Sequence, residues 1–92
     1  MKSNPILEKI RAGAKIIDVR TPEEFSDGHY PEARNIPVAE IQARMAEIGP
    51  KDAPVVLYCA SGARSALAAK LLAAAGFSDV LNAGGLEDMP EA

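Results

Sequence analysis

The sequence predicts an α/β fold with a mostly parallel sheet and helices packed on its faces. Three features carry that expectation: short apolar stretches alternate with helix-spaced stripes, the segments joining them are brief, and the clearest strand, Val55-Val56-Leu57-Tyr58, is apolar without alternation. A parallel strand covered on both faces reads that way, and such alternation is what a chain of parallel βα units produces. The 92 residues fit one compact domain, 1–92, with one modest core. With 48% hydrophobic residues but only two Phe, two Tyr and no Trp, that core is expected to be aliphatic and Ala-rich.

The elements follow in order. Ile6, Leu7 and Ile10 form a helical stripe, with Asn4 as cap, Pro5 in the first helical position and Gly13 past the end. Lys15 to Val19 is rich in branched residues and short enough for a buried strand. Thr21-Pro22-Glu23-Glu24 then reads as cap, proline and acids at a helix start. Gly28, Pro31 and Pro37 leave the stretch from Ser26 to Pro37 mostly loop, with room for a brief strand around Asn35 and Ile36. Val38, Ile41, Met45 and Ile48 recur at three- and four-residue steps before Gly49-Pro50, which predicts an amphipathic helix. Pro54 to Tyr58 is the central strand. Ala63 to Ala75 holds seven Ala with Leu67, Leu71 and Leu72 and is ended by Gly76, a strong helix pattern. Val80 and Leu81 make a last short strand before Gly84-Gly85.

Composition also excludes. The formal net charge is -3 and Lys and Arg never cluster, so the chain is not built to neutralise a phosphate backbone, and nucleic acid is not an expected partner. No stretch approaches the length of a membrane span, and the amino terminus lacks the basic and long apolar segments of a secretory signal. The expected location is the cytoplasm, with the periplasm as the alternative if a signal peptide has been removed. A single cysteine can neither form an internal disulfide nor resolve its own oxidised form, so Cys59 acts on outside molecules if it acts at all.

Chemistry concentrates in Tyr58-Cys59-Ala60-Ser61-Gly62-Ala63-Arg64-Ser65, where the central strand ends and the Ala-rich helix begins. Function in open α/β sheets sits at that rim. A turn there can aim the amides of residues 60 to 65 at one point, with the helix dipole adding to the field. If the occupant is the sulfur of Cys59, the loop favours thiolate over thiol and lowers its pKa. Gly62 permits a positive φ and close approach of backbone to sulfur. Ala60 and Ala63 keep the loop mouth open, Ser61 and Ser65 offer hydroxyls, and Arg64 is the one fixed positive charge in the segment.

Four ordered stretches extend this pattern: Ile17-Asp18-Val19-Arg20 with Glu23-Glu24-Phe25, then Gly28-His29-Tyr30-Pro31-Glu32-Ala33-Arg34-Asn35-Ile36-Pro37, then the cysteine loop, then Asn82-Ala83-Gly84-Gly85-Leu86. In order and spacing they resemble the rhodanese-like domain family. The ending is similar to the small phage-shock sulfurtransferases, except that the Trp many relatives carry after the paired glycines is absent and Met89 stands nearby. The resemblance implies a five-stranded, mostly parallel sheet with helices on both faces and a catalytic Cys at Cys59. It also implies transfer of a sulfane sulfur from thiosulfate or a similar donor to a thiol or cyanide. A thioredoxin-like or sulfur-carrier protein would serve as a macromolecular partner. No cofactor and no metal are expected. The residues expected to bind substrate are Ala60, Ser61, Gly62, Ala63, Arg64 and Ser65, with Arg34 joining them if the loop before the strand at 35–36 folds over that rim.

The same residues also admit plainer readings. A lone cysteine is often inert packing, which the loop context argues against. His29 reads as a structural hydrogen-bonding residue, Arg20 with Glu24 as a structural ion pair, and Gly84-Gly85 as turn chemistry. Cysteine phosphatases and arsenate reductases also place Cys and Arg around an anion loop, but with five residues between them. Here there are four, Ala60 to Ala63, a cradle expected to fit one sulfur atom better than a tetrahedral phosphoryl group. A relay or docking module that does not turn over substrate is the remaining alternative.

Overall fold

A computed structural model describes residues 4–91. The elements in chain order are α1 (Pro5–Arg11), β1 (Lys15–Asp18), α2 (Pro22–Asp27), β2 (Arg34–Asn35), β3 (Val55–Cys59), α3 (Ala63–Ala74) and β4 (Val80–Gly85), with short 3-10 turns at Val38–Glu40, Met45–Glu47 and Leu86–Asp88. Asn4 caps α1 as its position predicts: its side chain accepts from the amides of Ile6 at 3.0 Å and Leu7 at 3.3 Å. The strands form one parallel sheet in the order β2-β1-β3-β4. Among the described residues no helix is long and apolar enough to cross a membrane.

All five residues of β3 are buried, and their alternation builds two apolar layers. Val55, Leu57 and Cys59 face Ile17, Val19, Ile41, Ile48 and the Ala68 and Leu72 side of α3. Val56 and Tyr58 face Ile16, Tyr30 and Met89, with Ile6 and Ile10 of α1 packed against them. Both faces of the central strand are therefore covered, which is why its sequence shows no polar alternation. Every strand also ends at the same rim as Cys59.

Three expectations need correction. The residue pattern contains four β segments and the sheet has those four strands among the described residues, whereas the fifth was implied only by the family resemblance. The helix predicted over 38–48 is instead two 3-10 turns. Val38 and Ile41, like Met45 and Ile48, stand three residues apart, and a 3-10 turn stacks i on i+3. That geometry buries Ile41 and Ile48 without a continuous α-helix between Pro37 and Gly49. Finally, β4 continues past Leu81 to Gly85. Asn82 to Gly85 has little intrinsic strand preference, so its pairing with Leu57, Tyr58 and Cys59 of β3 holds it extended.

Candidate active site

Cys59 is the last residue of β3 and Ala63 opens α3, leaving three residues to turn the chain. Gly62 makes that turn at φ +99, in the left-handed region. Its amide donates to Cys59 Sγ at 2.9 Å. Helix α3 has no side-chain cap, so the amides that open it are left for another acceptor. Burial pushes the Cys59 thiol up, but the Ser65 hydroxyl and the amides of Ser65, Gly62 and Ser61 outweigh it and hold the thiol at about 7, against an ordinary 9.0. Cys59 is fully buried, yet its sulfur faces peptide nitrogens as well as the apolar layer.

The other loop residues take distinct places. Ala60, Ser61 and Ala63 are exposed on the rim, while Ser65 is buried behind the sulfur. Ser65 Oγ stands 3.4 Å from Cys59 Sγ and 2.6 Å from Asn82 Oδ1, with the Gly62 carbonyl at 3.1 Å. One hydroxyl proton serves these acceptors, and Asn82 is the nearest. Asn82 Oδ1 also accepts from the Gly84 amide at 2.9 Å, so it ties β4 to the start of α3. A register shift between Leu57 and Tyr58 sets Tyr58 against Gly84 and re-aims this end of β4.

Gly84-Gly85 does more than turn the chain. A Cβ on Gly85 would lie 2.2 Å from the Ala60 carbonyl oxygen, so a side chain there would push the cysteine loop out of place. Sequence reasoning passed over Asn82 and Gly85 as site components. Their signal was present in the Asn82-Ala83-Gly84-Gly85 stretch, but only the folded register shows what it touches.

Both arginines expected to bind substrate are engaged by carboxylates. Arg64 Nη1 donates to Glu24 Oε1 at 2.7 Å and Nη2 to Oε2 at 3.0 Å. Paired with Arg64 first and capped onto Thr21 second, the Glu24 carboxyl falls to about 2. The expected Arg20–Glu24 pair is therefore wrong: Arg20 instead binds buried Asp18 through Nε at 3.0 Å and Nη2 at 2.8 Å, and the Gly28 carbonyl at 2.8 Å. Two residues apart where β1 ends, Asp18 and Arg20 meet without any reach, whereas Glu24 lies on the side of α2 that faces the loop. Arg34 does not join the loop. It pairs with Glu47 at 3.2 Å and lines a cavity of about 410 Å³ with Gly13, Lys15, Glu32 and Glu47, near the amino end of β1. His29 Nδ1 lies 2.9 Å from the Phe25 carbonyl and its ring stacks on Phe25 at 3.7 Å, a structural arrangement.

Residues 4–90 match the family model described as rhodanese-like domain. A protein from Allochromatium vinosum named sulfurtransferase is 48% identical over 67 residues, covering 73% of this chain and 62% of that one. Thiosulfate sulfurtransferase PspE of Escherichia coli is 42% identical over 74 residues, covering 79% of this chain and 71% of that one. Among solved structures, "rhodanese with anions from E. coli" superposes with a TM-score of 0.79 at 40% identity, covering 84% of this chain and 94% of that chain. The chain thus spans about three fifths of the Allochromatium relative.

Proposed function

The chain belongs to the rhodanese-like domain family, and we propose that it moves a sulfane sulfur from thiosulfate or a similar donor to a thiol or cyanide, holding it on Cys59 as a persulfide. The observation that carries this reading is the Gly62 amide on Cys59 Sγ at 2.9 Å, in a loop that holds the thiol at about 7. Near neutral pH a large fraction of Cys59 is then thiolate, the nucleophilic form.

The thiolate attacks the outer sulfur of the donor. A new Sγ–S bond forms, the S–S bond of thiosulfate breaks, and its electron pair leaves on sulfite; the acceptor then takes the outer sulfur and restores the thiolate. Negative charge stays on sulfur throughout, so amides already aimed at Sγ stabilise each anionic state without reorganising. No proton needs to be moved in the first step. Ala60, Ser61 and Ala63 form the rim a donor meets, and Ser65 supports the thiolate from behind. With no second cysteine in the chain, the sulfur leaves to an external acceptor, a small thiol, cyanide, or the reactive sulfur of a thioredoxin-like or sulfur-carrier protein.

Incubation with thiosulfate followed by intact-mass measurement tests this. The expected result is a gain of one sulfur, lost on adding cyanide or dithiothreitol and absent from Cys59→Ser. An unchanged mass would overturn the persulfide step.

A further inference from the structure

The two arginines around the loop mouth are each matched by a carboxylate. Arg64, the cation nearest the sulfur in sequence, meets Glu24 through both terminal nitrogens, and each side chain is 35% exposed. Glu24 does not drift onto Arg64 by chance: its Oε1 is already fixed by the Thr21 amide at 3.1 Å, so the carboxylate is held in place by the start of α2. Arg20, whose charge reaches both Glu24 and Arg64, is matched by Asp18 at 2.8 Å. On the β4 side Asp88 adds a carboxylate, accepting from the Gly85 amide at 2.8 Å. Arg20 and Arg64 are thus balanced by Asp18 and Glu24, with Asp88 and the Cys59 thiolate left over as negative charge. Among the described residues, a donor arriving at this mouth meets no arginine without a carboxylate partner.

We propose that Glu24 is a specificity-determining residue: by matching the charge of Arg64 it makes the site favour sulfane donors of single negative charge, or none, over dianionic thiosulfate. This rests on the proposed sulfur transfer and assigns its donor class. The guanidinium keeps N–H groups able to orient a donor, but it does not gather dianions from solution. A thiosulfonate monoanion shares the reacting sulfur of thiosulfate and differs in its leaving group, a sulfinate in place of sulfite, and in carrying one charge fewer. The transfer balances in the same way, with the new bond to Sγ replacing the S–S bond of the donor and the electron pair leaving on sulfinate.

The test compares wild type with Glu24→Gln, an isostere that keeps an oxygen for the Thr21 amide. With cyanide as acceptor, kcat/KM for thiosulfate is expected to rise about five-fold in the variant and that for methanethiosulfonate only about two-fold, as the change of one unit acts on two charges and on one. In wild type, raising ionic strength from about 20 to about 200 mM leaves the thiosulfate value level or raises it, because like charges are being screened. A fall with salt, or equal responses of the two donors to the substitution, overturns the proposal.

Alkylation of Cys59 reads the same field without turnover. Iodoacetate is expected to gain about two- to three-fold on neutral iodoacetamide in Glu24→Gln. An unmoved ratio sinks the role of Glu24 even where sulfur transfer stands. Absence of turnover with both donors, alongside a shifted ratio, sinks the sulfur-transfer reading and leaves the charge assignment in place.

Discussion

Helix α2 begins with Thr21 Oγ1 accepting from the Glu24 amide at 3.3 Å and Glu24 returning to the Thr21 amide at 3.1 Å, with Pro22 in the first turn. Helix α3 begins with Gly62 and no side-chain cap at all. Each helix start has several amides without intrahelical partners. In α2 they are satisfied by side chains from the same turn, which stabilises a six-residue helix too short to persist alone. In α3 they are left open toward Cys59, and the twelve-residue, Ala-rich helix behind them has enough propensity and packing to do without a cap. The contrast teaches where this fold can leave a local interaction unmade: at the helix whose stability is secured elsewhere. The two starts are also joined, since the carboxylate that caps α2 is the one that binds Arg64 of α3.

The largest expected effect comes from filling the space that lets β4 lie against the α3 loop. Gly85→Ala would place a methyl 2.2 Å from the Ala60 carbonyl oxygen, a backbone atom that cannot swing aside as a side chain could. Overpacking of this kind costs about 1–3 kcal/mol. Denaturant unfolding should show that loss, together with a Cys59 alkylation profile displaced to higher pH as the amides lose their aim. A variant with wild-type stability and an unmoved profile would mean that the loop does not depend on this close approach.

Ser65→Ala sharpens the comparison from within α3. The Ser65 hydroxyl is the foremost of the groups lowering Cys59 against its burial, so its removal should raise the inflection of the alkylation profile from about 7 toward the ordinary 9.0. At neutral pH the alkylation rate should fall by about three- to ten-fold, one unit of pKa corresponding to a factor of ten in thiolate. The sign of the stability effect follows from the same shift. A group that titrates lower when folded favours the folded state above its unfolded pKa, and that contribution is lost as pH falls through about 7. Wild type should therefore gain stability as pH rises from about 7 to 9.0, and the variant should gain less.

The smallest effect is expected at the capped helix. Thr21→Ala removes the hydroxyl acceptor of α2 and should cost about 1 kcal/mol of unfolding free energy. The Cys59 profile should stay where it is, because the Gly62 and Ser65 groups around the sulfur are untouched. If the profile moved as far as in Ser65→Ala, the two helix starts would have to be treated as one unit and not as contrasting ones.

Much of this arrangement is readable along the chain. The cap, proline and acids of α2 and the position of Cys59 between an apolar strand and an Ala-rich helix are all local, and local preferences act over a few residues. The segment from Val38 to Ile48 shows where such reading goes astray. Its three- and four-residue steps fit an α-helix, but the pairs of half-buried Val38 with buried Ile41 and half-buried Met45 with buried Ile48 are met equally by 3-10 turns. Packing against the core decided between them.

The amino-acid sequence by itself placed a lone cysteine at the carboxyl end of a central parallel strand and left Gly62 free to turn behind it. Tertiary structure alone decided that Arg64 faces Glu24, that Arg34 goes to Glu47, that Asn82 reaches Ser65, and that Gly85 presses on Ala60. The physical reason is reach. Amides and caps act within one turn of chain, whereas charge matching and a side-chain hydrogen bond join residues 40 and 17 positions apart, and their meeting depends on the register and the irregularity of a sheet that no short stretch of sequence specifies.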